Sequence, residues 1–246
     1  MRKIFSKRLE NAHAARYVTL REHETEIQEP MRDHVKPLPS YLVSRYQGWH
    51  ATSYAENRAW YRRLAEEGQR PRSMIIACCD SRVHVTSMFG ADQGEFFIHR
   101  NIANLVPEFT PDGDHHGTSA AVEYAVTSLK VAHLIVLGHS NCGGVAGCHA
   151  MCSGHAPELE EKSSFVGTWL NLLRPGYERV TELPAEEQVL AMEREAVKIS
   201  LENLMTFPFV REALDADRMT LHGLRHDIGE GTLEQYDAAT DRFEVI

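Results

Sequence analysis

Two short runs have no polar face at all. Met74-Ile75-Ile76-Ala77, within Ser73 to Cys79, and Leu134-Ile135-Val136-Leu137, within Ala132 to His139, are continuously apolar, the pattern of strands covered on both sides. Between them, Glu95 to His99 reads as another strand and Thr118 to Lys130 as a helix. Upstream, Tyr54 to Gln69 reads as a helix capped by Thr52 or Ser53, with Trp60, Tyr61 and Leu64 on one side and Pro71 after its end. Downstream, a long amphipathic helix is expected from about Glu186 to Thr206, with Val189, Leu190, Val197, Leu201 and Leu204 inward. Met219 to Asp227, a turn at Gly229 to Gly231, and Leu233 to Tyr236 predict a terminal hairpin.

Strand, helix and strand in this order, with continuous apolar strands, predict an α/β fold with a mainly parallel central sheet flanked by helices. Residues 1–40 carry little strand or core character. They run from basic (Arg2, Lys3, Lys7, Arg8, Arg16, Arg21) to acidic (Glu22, Glu24, Glu26, Glu29) before Pro30. They read as an N-terminal extension, either a helical arm on a partner subunit or a solvated tail. Residues 41–246 read as one domain.

At 246 residues, with 43% hydrophobic and 25% charged positions, the chain is long enough for one sizeable core. A net charge of -9 argues against a nucleic-acid partner, which needs a basic face. The longest apolar stretch, Val131 to Gly138, is interrupted by His133 and too short to span a bilayer. Met1-Arg2-Lys3 is not followed by the apolar segment of a signal peptide, so a cytoplasmic location is expected. The five cysteines are an odd number clustered near two short strings, which favours reduced, metal-binding thiols over disulfides.

Those strings are Cys78-Cys79-Asp80-Ser81-Arg82 and His139-Ser140-Asn141-Cys142-Gly143-Gly144. Two cysteines and a histidine suit zinc and leave its fourth tetrahedral position open, the composition of a catalytic site. Cys78 and His139 stand at the carboxyl ends of the two buried strands, where ligands gather in open α/β sheets. Glycines 138, 143 and 144 fit a sharp strand-to-helix turn, which puts Cys142 near a helix N-terminus that favours thiolate. Asp80 and Arg82 are spaced to pair. Asp80 either accepts a hydrogen bond from a zinc-bound hydroxide or fills the fourth zinc position itself. Cys148, His149, Cys152 and His155 form a second cluster, but Cys148 and Cys152 are helix-spaced and pack equally well as small apolar residues.

The chain resembles the β-class carbonic anhydrases. The resemblance covers about residues 52 to 230 and rests on C-x-D-S-R at 78–82, Arg100-Asn101-Ile102-Ala103-Asn104-Leu105, the Glu123 to Val126 helix string and G-H-S-x-C-G-G at 138–144. It implies reversible hydration of CO2 to bicarbonate by a zinc-bound hydroxide, with one zinc per chain on Cys78, His139 and Cys142. Asp80 and Arg82 are then the orienting dyad. Gln69 and the Gly143 amide bind substrate or bicarbonate, and Phe97, Ile102 and Tyr124 line the CO2 pocket, for which plain core packing is the competing reading. It also implies a homodimer or homotetramer. One subtype closes its site with Asp on zinc and carries Trp and Gly where this chain has Ile75 and Ala77, so the open form is expected here. Cys79 departs from the usual Ser or Ala. A hydrolase acting on carbonyl sulfide or carbon disulfide, a bicarbonate-binding zinc protein without turnover, and a thiol-redox protein are the competing readings. Asp80, Arg82 and Gln69 disfavour the second, and the absence of C-x-x-C disfavours the third.

Overall fold

The structure is a computed structural model that describes residues 34–112, 116–161 and 163–246. The chain divides into two compact units, Met1–Glu66 and Glu67–Ile246. Most of the expected arm, residues 1–33, lies outside the described residues.

The described residues of the first unit are mainly helical. Helix α1 (Ser40–Trp49) continues through a wider π-type turn at His50–Tyr54, and α2 covers Arg58–Glu67. The helix therefore begins well before the expected start at Tyr54. Thr52 is no cap: its hydroxyl donates back to the Gly48 carbonyl at 2.9 Å, inside the helix. Of the expected apolar face, Tyr61 joins a ladder of rings, with Trp49 5.8 Å edge-on from it and Tyr54 5.2 Å away. The chain leaves α2 at Gly68, whose φ of 73° is the left-handed terminator that glycine adopts without strain, three residues before Pro71.

The second unit holds one six-stranded sheet in the order β2-β1-β3-β4-β5-β6. Its strands are β1 (Ser73–Cys78), β2 (Phe96–Asn101), β3 (His133–His139), β4 (Thr220–His226), β5 (Leu233–Asp237) and β6 (Arg242–Val245). The first four are parallel and the last two antiparallel. Strand β1 is buried at every position. Met74 and Ile76 face one core with Leu134, Val136 and Phe207, while Ile75 and Ala77 face another with Leu137, Leu224 and Val85. That two-sided burial is why the run carries no polar residue. The hairpin forms as expected between β4 and β5, turned by Asp227, whose Oδ1 accepts the Gly229 and Glu230 amides. It is extended by β6, a four-residue strand too short for its alternation to register.

Helix α3 (Val85–Met88) follows β1, and α4 (His116–Glu123) runs on as a π-type turn to Leu129, stopped at Lys130 with φ 55°. Helix α5 (Gly143–Cys152) follows β3, and α6 (Phe165–Leu170) and α7 (Arg174–Val180) are short pieces that the pattern did not announce. Helix α8 (Ala185–Leu204) crosses the sheet and α9 (Pro208–Asp215) leads into β4. The inward stripe of α8 runs through Met192, Glu193, Ala196, Val197, Ser200 and Leu204. Leu190, expected inward, falls beside this stripe and is 43% exposed.

Two glycines let α8 lie close. A Cβ on Gly138 of β3 would stand 2.8 Å from Val197 Cγ2, and one on Gly223 of β4 would stand 2.8 Å from Leu201 Cδ1 and 2.9 Å from Val197 Cγ1. Val197 is stiff at χ1 and sits between both strands, so it has little room to move aside. Gly223→Ala is therefore expected to lower stability by about 1–3 kcal/mol, the usual range for overpacking. Denaturant unfolding with an unchanged midpoint would contradict this.

Candidate metal centre

Strands β1 and β3 pair from Ser73 with His133 to Ala77 with Leu137, so they end side by side. Cys78 is the last residue of β1 and His139 the last of β3. After His139 the backbone reverses at Asn141, whose φ of 54° is left-handed, and Cys142 then sits as the residue capping α5. Gly144 permits the turn to close: a Cβ there would meet Ile102 Cγ2 at 2.7 Å.

These steps bring the ligand atoms of Cys78, His139 and Cys142 within 4.8 Å of one another, all buried. The two sulfurs are 3.9 Å apart. Two Zn–S bonds of about 2.3 Å at a tetrahedral angle separate sulfurs by about 3.8 Å, so the pair fits zinc without movement. His139 Nδ1 donates to the Ser140 carbonyl at 2.9 Å, which leaves Nε2 as the bare lone pair. That Nε2 is buried with no hydrogen-bond partner. A buried imidazole nitrogen without a partner is costly unless a cation meets it.

The charges around the trio are arranged for a cation. A hydrogen bond with Cys142 is the largest influence drawing the Cys78 thiol down to about 4, with His139 and the Asp80 and Ala103 amides assisting against burial. The Cys78 sulfur, then burial, push Cys142 up, opposed by the Val145 and Gly144 amides at the start of α5. Zinc is held by thiolates, so its binding displaces whatever proton the two sulfurs carry. Ala103 and Asn104 both adopt left-handed φ, 60° and 50°, a strained turn for non-glycine residues that aims the Ala103 amide at Cys78.

Asp80 and Arg82 pair as expected. Arg82 Nε donates to Asp80 Oδ1 at 2.9 Å and Nη2 to Oδ2 at 2.6 Å, and the Arg82 amide adds a third bond to Oδ1 at 2.9 Å. The guanidinium, then the amide, hold the Asp80 carboxyl well below the usual carboxylate range. Arg82 Nη2 also donates to the Asn141 carbonyl at 2.9 Å, tying the loop after β1 to the loop after β3. Asp80 Oδ2 lies 4.0 Å from His139 Nε2, at the edge of the ligand trio.

The remaining expected residues are less tightly gathered. Ile102 packs against Gly144, and Gly143 is exposed with open space on its side-chain face. Phe97 on β2 and Tyr124 face each other with ring centroids 5.9 Å apart. Plain core packing does not describe Ile102 and Tyr124, which are 40% and 46% exposed. Gln69 stands in the exposed link before β1. Cys148 packs in the core with its sulfur 3.9 Å from Cys152 and directed to the Leu170 carbonyl. Burial, then Cys152, push its thiol up to about 12, which suits an inert packing role. Sequence reasoning quoted Arg100 but gave it no role. Its guanidinium binds the carbonyls of Cys78, Asp80 and Val83 at 2.8, 2.6 and 2.9 Å and so holds the whole loop that carries the first ligand and the dyad.

Comparison with known proteins agrees with this geometry. The carbonic anhydrase family profile matches residues 73–233. Beta carbonic anhydrase 3 of Arabidopsis thaliana is 33% identical over 233 residues, 93% of this chain and 87% of its own. Among solved structures, the β-carbonic anhydrase CcaA superposes with a TM-score of 0.76 at 28% identity, covering 84% of this chain and 91% of that one. Two tetrameric β-carbonic anhydrases from Sordaria macrospora are represented by a match with a TM-score of 0.66 at 31% identity, covering 80% and 95%. The chain belongs to the β-carbonic anhydrases, zinc-dependent carbonate dehydratases that interconvert CO2 and bicarbonate.

Proposed function

We propose that Cys78, His139 and Cys142 hold one zinc per chain, that Asp80 and Arg82 orient the attacking oxygen, and that the site is open at neutral pH. The observation that carries this reading is the orphaned His139 Nε2 beside two sulfurs 3.9 Å apart, with both Asp80 oxygens already engaged by Arg82. Zinc bound there supplies a Lewis acid that makes water nucleophilic near neutral pH. The protein's own groups do the rest. Asp80, ionised and pinned by Arg82, accepts a hydrogen bond from the nucleophile and fixes its lone pair toward the carbon. Ile102, Phe97 and Tyr124 offer CO2 an apolar wall. The Gly143 amide at the start of α5, together with Gln69, receives the anionic product, as helix N-termini do.

The exposure of Ile102 and Tyr124, with Ile98 37% exposed on the edge strand β2, supports a second copy of the chain packing along this edge of the sheet. The Sordaria relatives are described as tetrameric, and a homodimer or homotetramer is the assembly we propose. Among the described residues no helix is long and apolar enough to cross a membrane.

Three outcomes are expected. Metal analysis of the purified chain gives one zinc, lost in Cys78→Ser, His139→Asn and Cys142→Ser but kept in Asp80→Asn; zinc loss in the last variant would mean that Asp80 is itself a ligand. Stopped-flow assays give rapid, zinc-dependent CO2 hydration that rises toward alkaline pH, because two thiolates neutralise the metal charge and its water is less acidic than the value of about 7 at a three-histidine site. The folded Asp80 carboxyl titrates below its ordinary range, so it is ionised throughout pH 6 to 9 and its pairing with Arg82 weakens only as acid carries the pH down through that depressed value. Asp80→Asn should therefore keep the alkaline rise while lowering activity roughly 10- to 100-fold, as loss of a group supporting a metal site does. A flat profile in the wild type, or a rise abolished in Asp80→Asn, would contradict the assignment. Sedimentation of the holoenzyme should show a dimer or tetramer, and a monomer at micromolar concentration would remove the second-copy reading.

A further inference from the structure

Behind the metal centre lies a charged pair that the reaction itself does not use. Glu193 on α8 is 3% exposed and Arg225 on β4 is 2% exposed. The two carboxylate oxygens have separate tasks. Oε2 accepts Arg225 Nε at 3.0 Å and Nη2 at 2.8 Å, while Oε1 accepts the backbone amide of Cys142 at 3.3 Å. Arg225 is fixed in turn, with Nη1 3.4 Å from Glu234 Oε2 and Nη2 3.7 Å from Asp227 Oδ2, and Glu234 is gripped bidentately by Arg194.

The fold places this pair under the ligand loop by construction. Arg225 is the register partner of Gly138 on the neighbouring strand, directly before His139. The absence of a side chain on Gly138 brings α8 down onto the same strand end, with the Glu193 carbonyl 3.5 Å from where a Cβ would stand. The Cys142 amide has no backbone acceptor among the described residues, because Cys142 precedes the first turn of α5. A buried amide in that position needs an acceptor. A buried ion pair rarely stabilises a fold more than apolar residues of the same volume would, so retention of one here calls for another use.

We propose that Glu193, locked by Arg225, is a positioning residue for the metal centre: by holding the Cys142 amide it fixes the backbone from which the Cys142 sulfur reaches zinc. This rests on the reading of Cys142 as a zinc ligand. It assigns the pair no contact with substrate. Its effect is on how long the metal is held and how closely the ligand geometry is kept.

The test uses zinc-loaded protein and two double variants that avoid leaving one buried charge unpaired. Glu193→Met with Arg225→Met removes both charges at similar volume and leaves the Cys142 amide without an acceptor. Glu193→Gln with Arg225→Met restores an acceptor oxygen without charge. Zinc transfer to a chromogenic chelator should be roughly 10- to 100-fold faster in the first, the range seen when a group supporting a metal ligand is lost. It should return to within about threefold of wild type in the second. Wild-type release in the first variant, or release from the second as fast as from the first, would overturn the proposal. Hydrogen exchange of the wild-type holoenzyme decides the matter if neither variant folds: a protected Cys142 amide supports the bond, and exchange at the rate of an open loop refutes it. Zinc retained by Cys142→Ser would instead sink the ligand reading, and the exchange experiment would still report on the hydrogen bond.

Discussion

Everything at the metal centre depends on the parallel pairing of β1 with β3. Register from Ser73–His133 to Ala77–Leu137 sets Cys78 level with Gly138, so β1 ends one residue short of His139 and the two ligands meet at adjoining strand ends. Adjacent strands lie about 4.8 Å apart, a spacing that one small ion can bridge. A slip of one residue would turn Cys78 to the other face of the sheet and carry the apolar set with it. Burial on both faces makes such a slip costly. The same hydrophobic burial that builds the core therefore also sets the ligand geometry, and the third ligand, Cys142, needs only the tight turn at Asn141 to join them.

Around that junction the protein collects charge where burial would ordinarily exclude it. Two sulfurs and a bare imidazole nitrogen form a pocket that favours a cation. Arg82 and Arg100 grip the loop after β1 from its carboxylate and its carbonyls, and Arg82 bridges onward to Asn141. Glu193 and Arg225 secure the loop after β3 from below. Each ligand loop is thus held by side chains from an element other than its own, which is how a site on loops reaches the precision of one on rigid elements.

The parts of this arrangement that could be read from sequence are those written in contiguous residues. Strands β1 and β3 show as unbroken apolar runs because both their faces are covered, and the ligands and dyad lie within a few residues of the strand ends. Other features depend on chain segments far apart. Glu193 occupies an inward position on the stripe of α8, and a charged residue there was the available signal, but its partner Arg225 is 32 residues away and its target Cys142 is 51 away. Leu190 looked inward because a stripe read from spacing alone does not say which edge the sheet will touch. The start of α1 at Ser40 was overlooked, although Leu42, Tyr46 and Trp49 stand at helical spacing there; none of its residues is buried. Ile102 and Tyr124 were given to the CO2 pocket by the resemblance, with core packing as the competing reading, and spacing alone does not show that in this chain they are 40% and 46% exposed.

Zinc-edge X-ray absorption on the holoenzyme near pH 7.5 tests the central claim most directly, that three ligands from two strand ends leave one position outside the protein. The account predicts two sulfurs at about 2.3 Å and two nitrogen or oxygen neighbours at about 2.0–2.1 Å, with a spectrum unchanged in Asp80→Asn. A different sulfur count would break the ligand assignment. A spectrum that changes when Asp80 is replaced would show that the carboxylate, not an exchangeable ligand, occupies the fourth position.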